Sequence, residues 1–215
     1  MRRRDPGVSI DRMTTNVLQR PLLLRLSSRW WWGAARASAA TRPPTRRSRR
    51  QRRANADGSD PEHVTGEAFH DQMATWSPDG RGLVVSRVET PSGQLRLVRL
   101  DLVTGNVTPL TPPGLNAAYG SLSPDGRRLV LVCEGDDGTT DLCLANGDGG
   151  EMRPAAATPF EEFDPSWSPD GRRIAFSRYL DEGPHVLVMG AAGENERRVA
   201  RGFTPAWSPG GETSS

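Results

Sequence analysis

The stretch Asp164-Pro165-Ser166-Trp167-Ser168-Pro169-Asp170-Gly171-Arg172-Arg173-Ile174-Ala175-Phe176-Ser177 decides the fold, because the chain repeats its core. Ser-Pro-Asp-Gly recurs at Ser77-Pro78-Asp79-Gly80 and Ser123-Pro124-Asp125-Gly126, and a degraded copy, Ser208-Pro209-Gly210-Gly211, follows. A large apolar residue precedes each: Trp76, Leu122, Trp167 and Trp207, spaced 46, 45 and 40 residues apart. A period of this size marks an array of small supersecondary units. Ser at the first position, Pro at the second and Gly at the fourth fill a type I β-turn. The Asp side chain is suited to bonding nearby amides, and Gly to the positive φ that starts the next strand.

After each turn comes a short β-branched run: Leu83-Val84-Val85, Leu129-Val130-Leu131-Val132-Cys133 and Ile174-Ala175-Phe176. Such runs predict strands covered on both faces. Polar turns at 89–94, 135–140 and 181–184 lead to third strands at 95–100, 141–145 and 185–189. Gly-rich turns then lead to fourth strands at 106–110, 151–154 and 196–200. Four strands per ~45 residues make a propeller blade, so the predicted fold is all-β. The blades fall at about 70–111, 112–157 and 158–200, with a stub at 201–215.

The Trp-Ser-Pro-Asp-Gly units resemble the WD-like repeat of TolB-type β-propellers over residues 62–211. The resemblance implies a structural motif that shapes a turn and packs its aromatic residue between blades. It also implies a protein or peptide partner docked through blade loops, and a periplasmic or extracytoplasmic bacterial setting. Related repeats build the propellers of prolyl-oligopeptidase-like peptidases, so fold follows more firmly than function. TolB proteins carry an α/β domain before six blades, whereas residues 1–61 resemble no such domain. Three blades and a stub give the appearance of a fragment, with two copies closing a ring as one way to complete it.

All 28 basic residues are arginine, which excludes Walker-type lysine, kinase-lysine and Schiff-base chemistry. Residues 1–60 hold 15 Arg against four Asp, and the remainder 13 Arg against 22 acids. The run Arg42-Pro43-Pro44-Thr45-Arg46-Arg47-Ser48-Arg49-Arg50-Gln51-Arg52-Arg53 has the composition of a disordered extension, although it could also grip phosphates. Domain boundaries are thus 1–61 for the basic segment and 62–215 for the repeats. Arg25, Arg29 and Arg36 interrupt the apolar stretch that a signal peptide needs. No run of 18 apolar residues predicts a membrane-spanning helix.

Catalytic signals are sparse. His63, His70 and His185 form no HExxH pattern, and Gly120-Ser121-Leu122-Ser123-Pro124 only echoes the Gly-x-Ser-x-Gly elbow. No catalytic, cofactor or metal residues are therefore assigned. Cys133 and Cys143 flank Gly138 in a hairpin; two small buried hydrophobes are the favoured reading, a disulfide the other. The acidic stretch 134–141 lacks calcium-loop order and reads as a solvated hairpin tip. Glu161, Glu162 and Asp164 stand just before a strand; a solvated loop with Asp164 bonding local backbone is the favoured reading, a place at the channel rim the other. Arg81, Arg127 and Arg172 are expected to face solvent. The expected function is a non-enzymatic scaffold for a protein or peptide; the alternative is the propeller portion of a serine peptidase.

Overall fold

The computed structural model describes residues 8–9, 51–53, 59–65, 70–88, 93–135, 138–156 and 158–208. Most of the basic segment, residues 89–92 and the Pro209-Gly210-Gly211 end of the degraded motif lie outside them, so the disorder expected of the extension does too. The described residues contain only strands and turns.

Among the described residues sixteen strands run in chain order: β1 (Val8–Ser9), β2 (Arg52–Arg53), β3 (Glu62–His63), β4 (His70–Trp76), β5 (Gly82–Val88), β6 (Leu95–Asp101), β7 (Val107–Pro109) and β8 (Ala117–Leu122). They continue as β9 (Arg128–Glu134), β10 (Thr140–Asn146), β11 (Arg153–Ala156), β12 (Glu162–Trp167), β13 (Arg173–Leu180), β14 (Gly183–Gly190), β15 (Arg197–Arg201) and β16 (Ala206–Trp207). Twelve of them make three four-stranded antiparallel meanders: β4-β5-β6-β7, β8-β9-β10-β11 and β12-β13-β14-β15. Each meander is a blade, and β4, β8, β12 and β16 are successive first strands packed side by side.

Two pairings tie in the segment before the repeats. Val8 and Ser9 of β1 lie antiparallel to Trp207 and Ala206 of β16. Arg52 and Arg53 pair with His63 and Glu62. The Gln51 side-chain amide donates to the Asp71 carbonyl at 2.9 Å, which fixes this ribbon to the start of the first blade. Val64 packs on Leu83, Val85 and Val98, on the face of that blade turned away from the second.

The core lies between blades. Val84, Leu97 and Leu110 of the first blade pack with Leu122, Leu129 and Leu131 of the second. Val130, Val132, Leu142 and Leu144 pack in turn with Trp167, Ile174 and Phe176 of the third. The second strands and the third strands β10 and β14 are thus buried on both faces, which is why they carry nearly unbroken apolar runs; β6 is only partly covered, and Arg96 and Arg99 interrupt its apolar residues.

Candidate functional site

The repeat motif builds the same turn three times. Ser77 Oγ donates to Asp79 Oδ1 at 2.5 Å, and Ser123 and Ser168 do the same with Asp125 and Asp170 at 2.6 Å. The same aspartate oxygens accept from the amides of Arg81, Arg127 and Arg172 at 3.0–3.1 Å. Gly80, Gly126 and Gly171 adopt φ of 65°, 71° and 67° and donate back to the serine carbonyls. The serine hydroxyl and, to a smaller degree, the arginine amide hold each of these carboxyls below its usual range. Arg81, Arg127 and Arg172 are exposed. The turn also anchors its neighbour: the carbonyls of Arg81 and Arg127 accept from Leu102 and Gly147, in the connections between third and fourth strands. The motif's hydroxyls and carboxylates are therefore engaged in holding turns.

The aromatic residue before the turn works between blades. Trp167 is buried; its indole N–H donates to the Ser121 carbonyl of the preceding blade at 3.1 Å, and Arg128 lies 4.6 Å over its ring. Trp207 repeats this with the Ser166 carbonyl at 3.0 Å and Arg173 at 4.9 Å. Leu122, without an indole, faces a blade with Gly82 in place of the stacking arginine. Trp76 departs from the pattern: it is 57% exposed, and no blade among the described residues packs on it from before β4.

Three further features were not legible in the sequence. Met73, Tyr119, Asp164 and Thr204, each three residues before the motif's apolar residue, take φ of 52–55°. In the three complete blades this is where the ladder between first and second strands shifts register. Non-glycine residues pay roughly 1–2 kcal/mol for this conformation, which bulges the inner strand at one height in every blade. Four unlike side chains share the position, so no residue type signals it.

The second feature is a buried ion pair at one register position. In the first blade Asp71 faces Arg87 and is held at 2.7 and 2.8 Å. In the third, Glu162 faces Arg178 at 2.7 Å, and Arg178 also bonds Glu196. Glu162 is fully buried, correcting its expected place in a solvated loop; it accepts from the Leu142 amide and the Thr158 hydroxyl as well. Burial pushes its carboxyl up, and Arg178 and the two other donors pull it back.

In the second blade the equivalent pair is Ala117 and Cys133. There Cys133 is joined to Cys143 in a disulfide, with Cα atoms 6.0 Å apart. This corrects the favoured reading of two free hydrophobes. The hairpin pairs Cys133 with Asp141 and Cys143 with Leu131, so the cysteines meet diagonally rather than face to face. Thr140 and Asp141 are buried in β10 and do not belong to a solvated tip, while residues 136–137 lie outside the described residues.

The third feature is a surface at the mouth, the end where first strands begin and second strands finish. Phe163 and Tyr179 meet edge-on with centroids 6.3 Å apart, and Tyr179 leans on Phe203 at 5.8 Å. Tyr179 and Phe203 are 48% and 44% exposed. The Tyr179 amide donates to the Glu161 carbonyl at 2.9 Å, placing Glu161 beside this aromatic row. Burial raises the carboxyls of both Glu161 and Asp164. Burial, with the Asp164 charge adding to it, pushes the Tyr119 hydroxyl up to about 12. His63, His70 and His185 do not converge, and no group of three or more metal-ligating side chains gathers among the described residues. No helix among them is long and apolar enough to cross a membrane.

Residues 53–211 match the family described as the TolB beta propeller domain, and the chain belongs to that family. Among curated proteins it is 31% identical over 83 residues to the "Uncharacterized peptidase YuxL" of Bacillus subtilis (strain 168), covering 39% of this chain and 13% of that one. It is 36% identical over 52 residues to the "Tol-Pal system protein TolB" of Syntrophus aciditrophicus (strain SB), covering 24% of this chain and 12% of the relative. The chain thus spans only a small part of either relative. A solved putative TolB from Agrobacterium tumefaciens superposes with a TM-score of 0.62 at 22% identity, over 72% of this chain and 60% of that one, a likeness of fold.

Proposed function

We propose that this chain is a non-enzymatic propeller module that docks a protein or peptide partner at its mouth. The observation that carries the reading is the exposed aromatic row at Tyr179 and Phe203, at the end of the blades away from the Ser-Pro-Asp-Gly turns. Aromatic anchors are what partner-binding surfaces enrich. Meanwhile the motif's polar groups are committed to turns, and the buried Asp71–Arg87 and Glu162–Arg178 pairs to blade interiors. The Cys133–Cys143 bond favours an oxidising compartment, in keeping with an extracytoplasmic setting. The test is photo-crosslinking in cells with benzoylphenylalanine at Phe203, compared with the same group at Val103, exposed near the opposite end. A discrete protein adduct at position 203 alone supports the reading. Adducts at neither position, or hydrolysis of p-nitrophenyl acetate or Ala-Pro-p-nitroanilide by the purified chain, overturns it.

A second reading rests on the match to the relative described as a peptidase. There the propeller is one portion of a serine hydrolase and its mouth faces the catalytic domain. It requires a Gly-x-Ser-x-Gly elbow, with Asp and His, elsewhere in a longer gene product. Sequencing the reading frame on both sides of this chain separates the two.

A further inference from the structure

We propose that the Phe163–Tyr179–Phe203 row, with Glu161 at its edge, is a recognition site for an arginine side chain carried on an exposed segment of the partner. The inference deepens the mouth-docking reading and rests on it. Its starting point is a departure from the repeat. At the register positions of Phe163 and Tyr179 the first blade carries Gln72 and Val88, and the second Ala118 and Glu134. The propeller therefore closes its blades without aromatic residues there. Only the third blade and the fourth unit supply them, and they leave two rings open to water. Adjoining rings that the repeat does not require, and that no described residue covers, are the kind of surface a contact uses.

The chemistry of the occupant follows from charge and from how this chain treats its other rings. Glu161 stands across from Tyr179, and its carboxylate makes no hydrogen bond or ion pair with any described residue. Asp164 is likewise without such a partner among the described residues, and burial pushes both carboxyls up. Among nearby charges, Glu182 is already paired with Arg198, Asp181 is exposed and adds negative charge, and Arg201 forms no ion pair with Glu161. The surface therefore calls for a cation. Elsewhere the chain lays guanidinium groups over its rings, Arg128 on Trp167, Arg173 on Trp207 and Arg178 on Phe176, at 4.6–5.3 Å. Tyr179 and Phe203 have no such cover from any described residue. A planar guanidinium stacks on an aromatic face while its N–H fork reaches a carboxylate, a combination a lysine ammonium does not reproduce.

The experiment titrates the full chain, 15N-labelled, with acetyl-Gly-Leu-Arg-Leu-Gly-amide and with its citrulline and lysine counterparts. Citrulline keeps the shape and removes the charge. The expected result is amide shifts confined to residues 161–163, 179 and 203, with the arginine peptide binding about tenfold more tightly than either counterpart. Glu161→Gln and Tyr179→Ala should each weaken it by about tenfold, and Trp76→Ala, at the distant exposed tryptophan, should leave it unchanged. Equal binding of the three peptides, shifts mapped elsewhere, or no shift at about 5 mM peptide overturns the assignment. Crosslinks at position 203 that persist in Glu161→Gln and Tyr179→Ala would leave the docking reading standing while this inference fails.

Discussion

Replacing Trp167 with alanine should be among the most damaging single changes in the chain, and the same change at Trp76 among the mildest for a tryptophan. The two residues occupy equivalent positions, yet one is 6% exposed and the other 57%. Trp167 fills the seam among Val130, Val132, Leu142 and Leu144, donates to the Ser121 carbonyl and carries Arg128 on its ring. Emptying such a site costs about 3–5 kcal/mol. Trp167→Phe keeps most of the ring but leaves the Ser121 carbonyl without its donor, for about 1–2 kcal/mol. Trp76→Ala removes a side chain that is mostly in water and should cost about 1 kcal/mol or less. Urea unfolding followed by far-ultraviolet circular dichroism reads all three as shifts in midpoint at constant slope. Equal losses for Trp167→Ala and Trp76→Ala would refute the argument that burial of this residue depends on a preceding blade.

Three more outcomes are expected. Reducing the Cys133–Cys143 bond, which closes a sequence separation of 10, should cost about 2.5–3 kcal/mol by loop-closure entropy, read as a urea-midpoint shift with and without reductant. Two titratable thiols in the native, unreduced protein would contradict the bond itself. Arg178→Ala, which leaves Glu162 buried and uncompensated, should cost about 3–5 kcal/mol, whereas Glu162→Ala with Arg178→Val should cost less than the single change; a double mutant worse than the single would refute this. Asp79, Asp125 and Asp170 are depressed in the fold, so their contribution is present above the unfolded carboxylate pKa and lost as pH falls through the folded value. The triple Asp→Asn variant should therefore lose less stability than wild type between pH 5 and pH 3 in urea titrations, about these carboxylates' usual range.

The turns, the period and the all-β class were legible because they are local. Ser-Pro-Asp-Gly specifies its own turn within four residues, and the apolar run that follows specifies a strand covered on both faces. No distant contact is needed for either. Other features depend on what lies across a seam. Trp76 and Trp167 sit in equivalent motifs, but among the described residues only Trp167 has a preceding blade packed on it, so one is exposed and the other buried. Glu162 looked like a loop acid until register set it opposite Arg178, and Cys133 occupies that arginine's position one blade earlier. The cysteines flank Gly138 evenly in the sequence, but the ladder pairs 133 with 141, and a shift of that size decides which side chains meet. The aromatic row at the mouth draws Phe163 and Tyr179 from one blade and Phe203 from the next. The sequence by itself determined the unit and its repetition, since those rest on backbone conformation and short-range burial. The tertiary structure decided which equivalent residues become core, ion pair, crosslink or open surface, because packing between blades joins residues some forty positions apart.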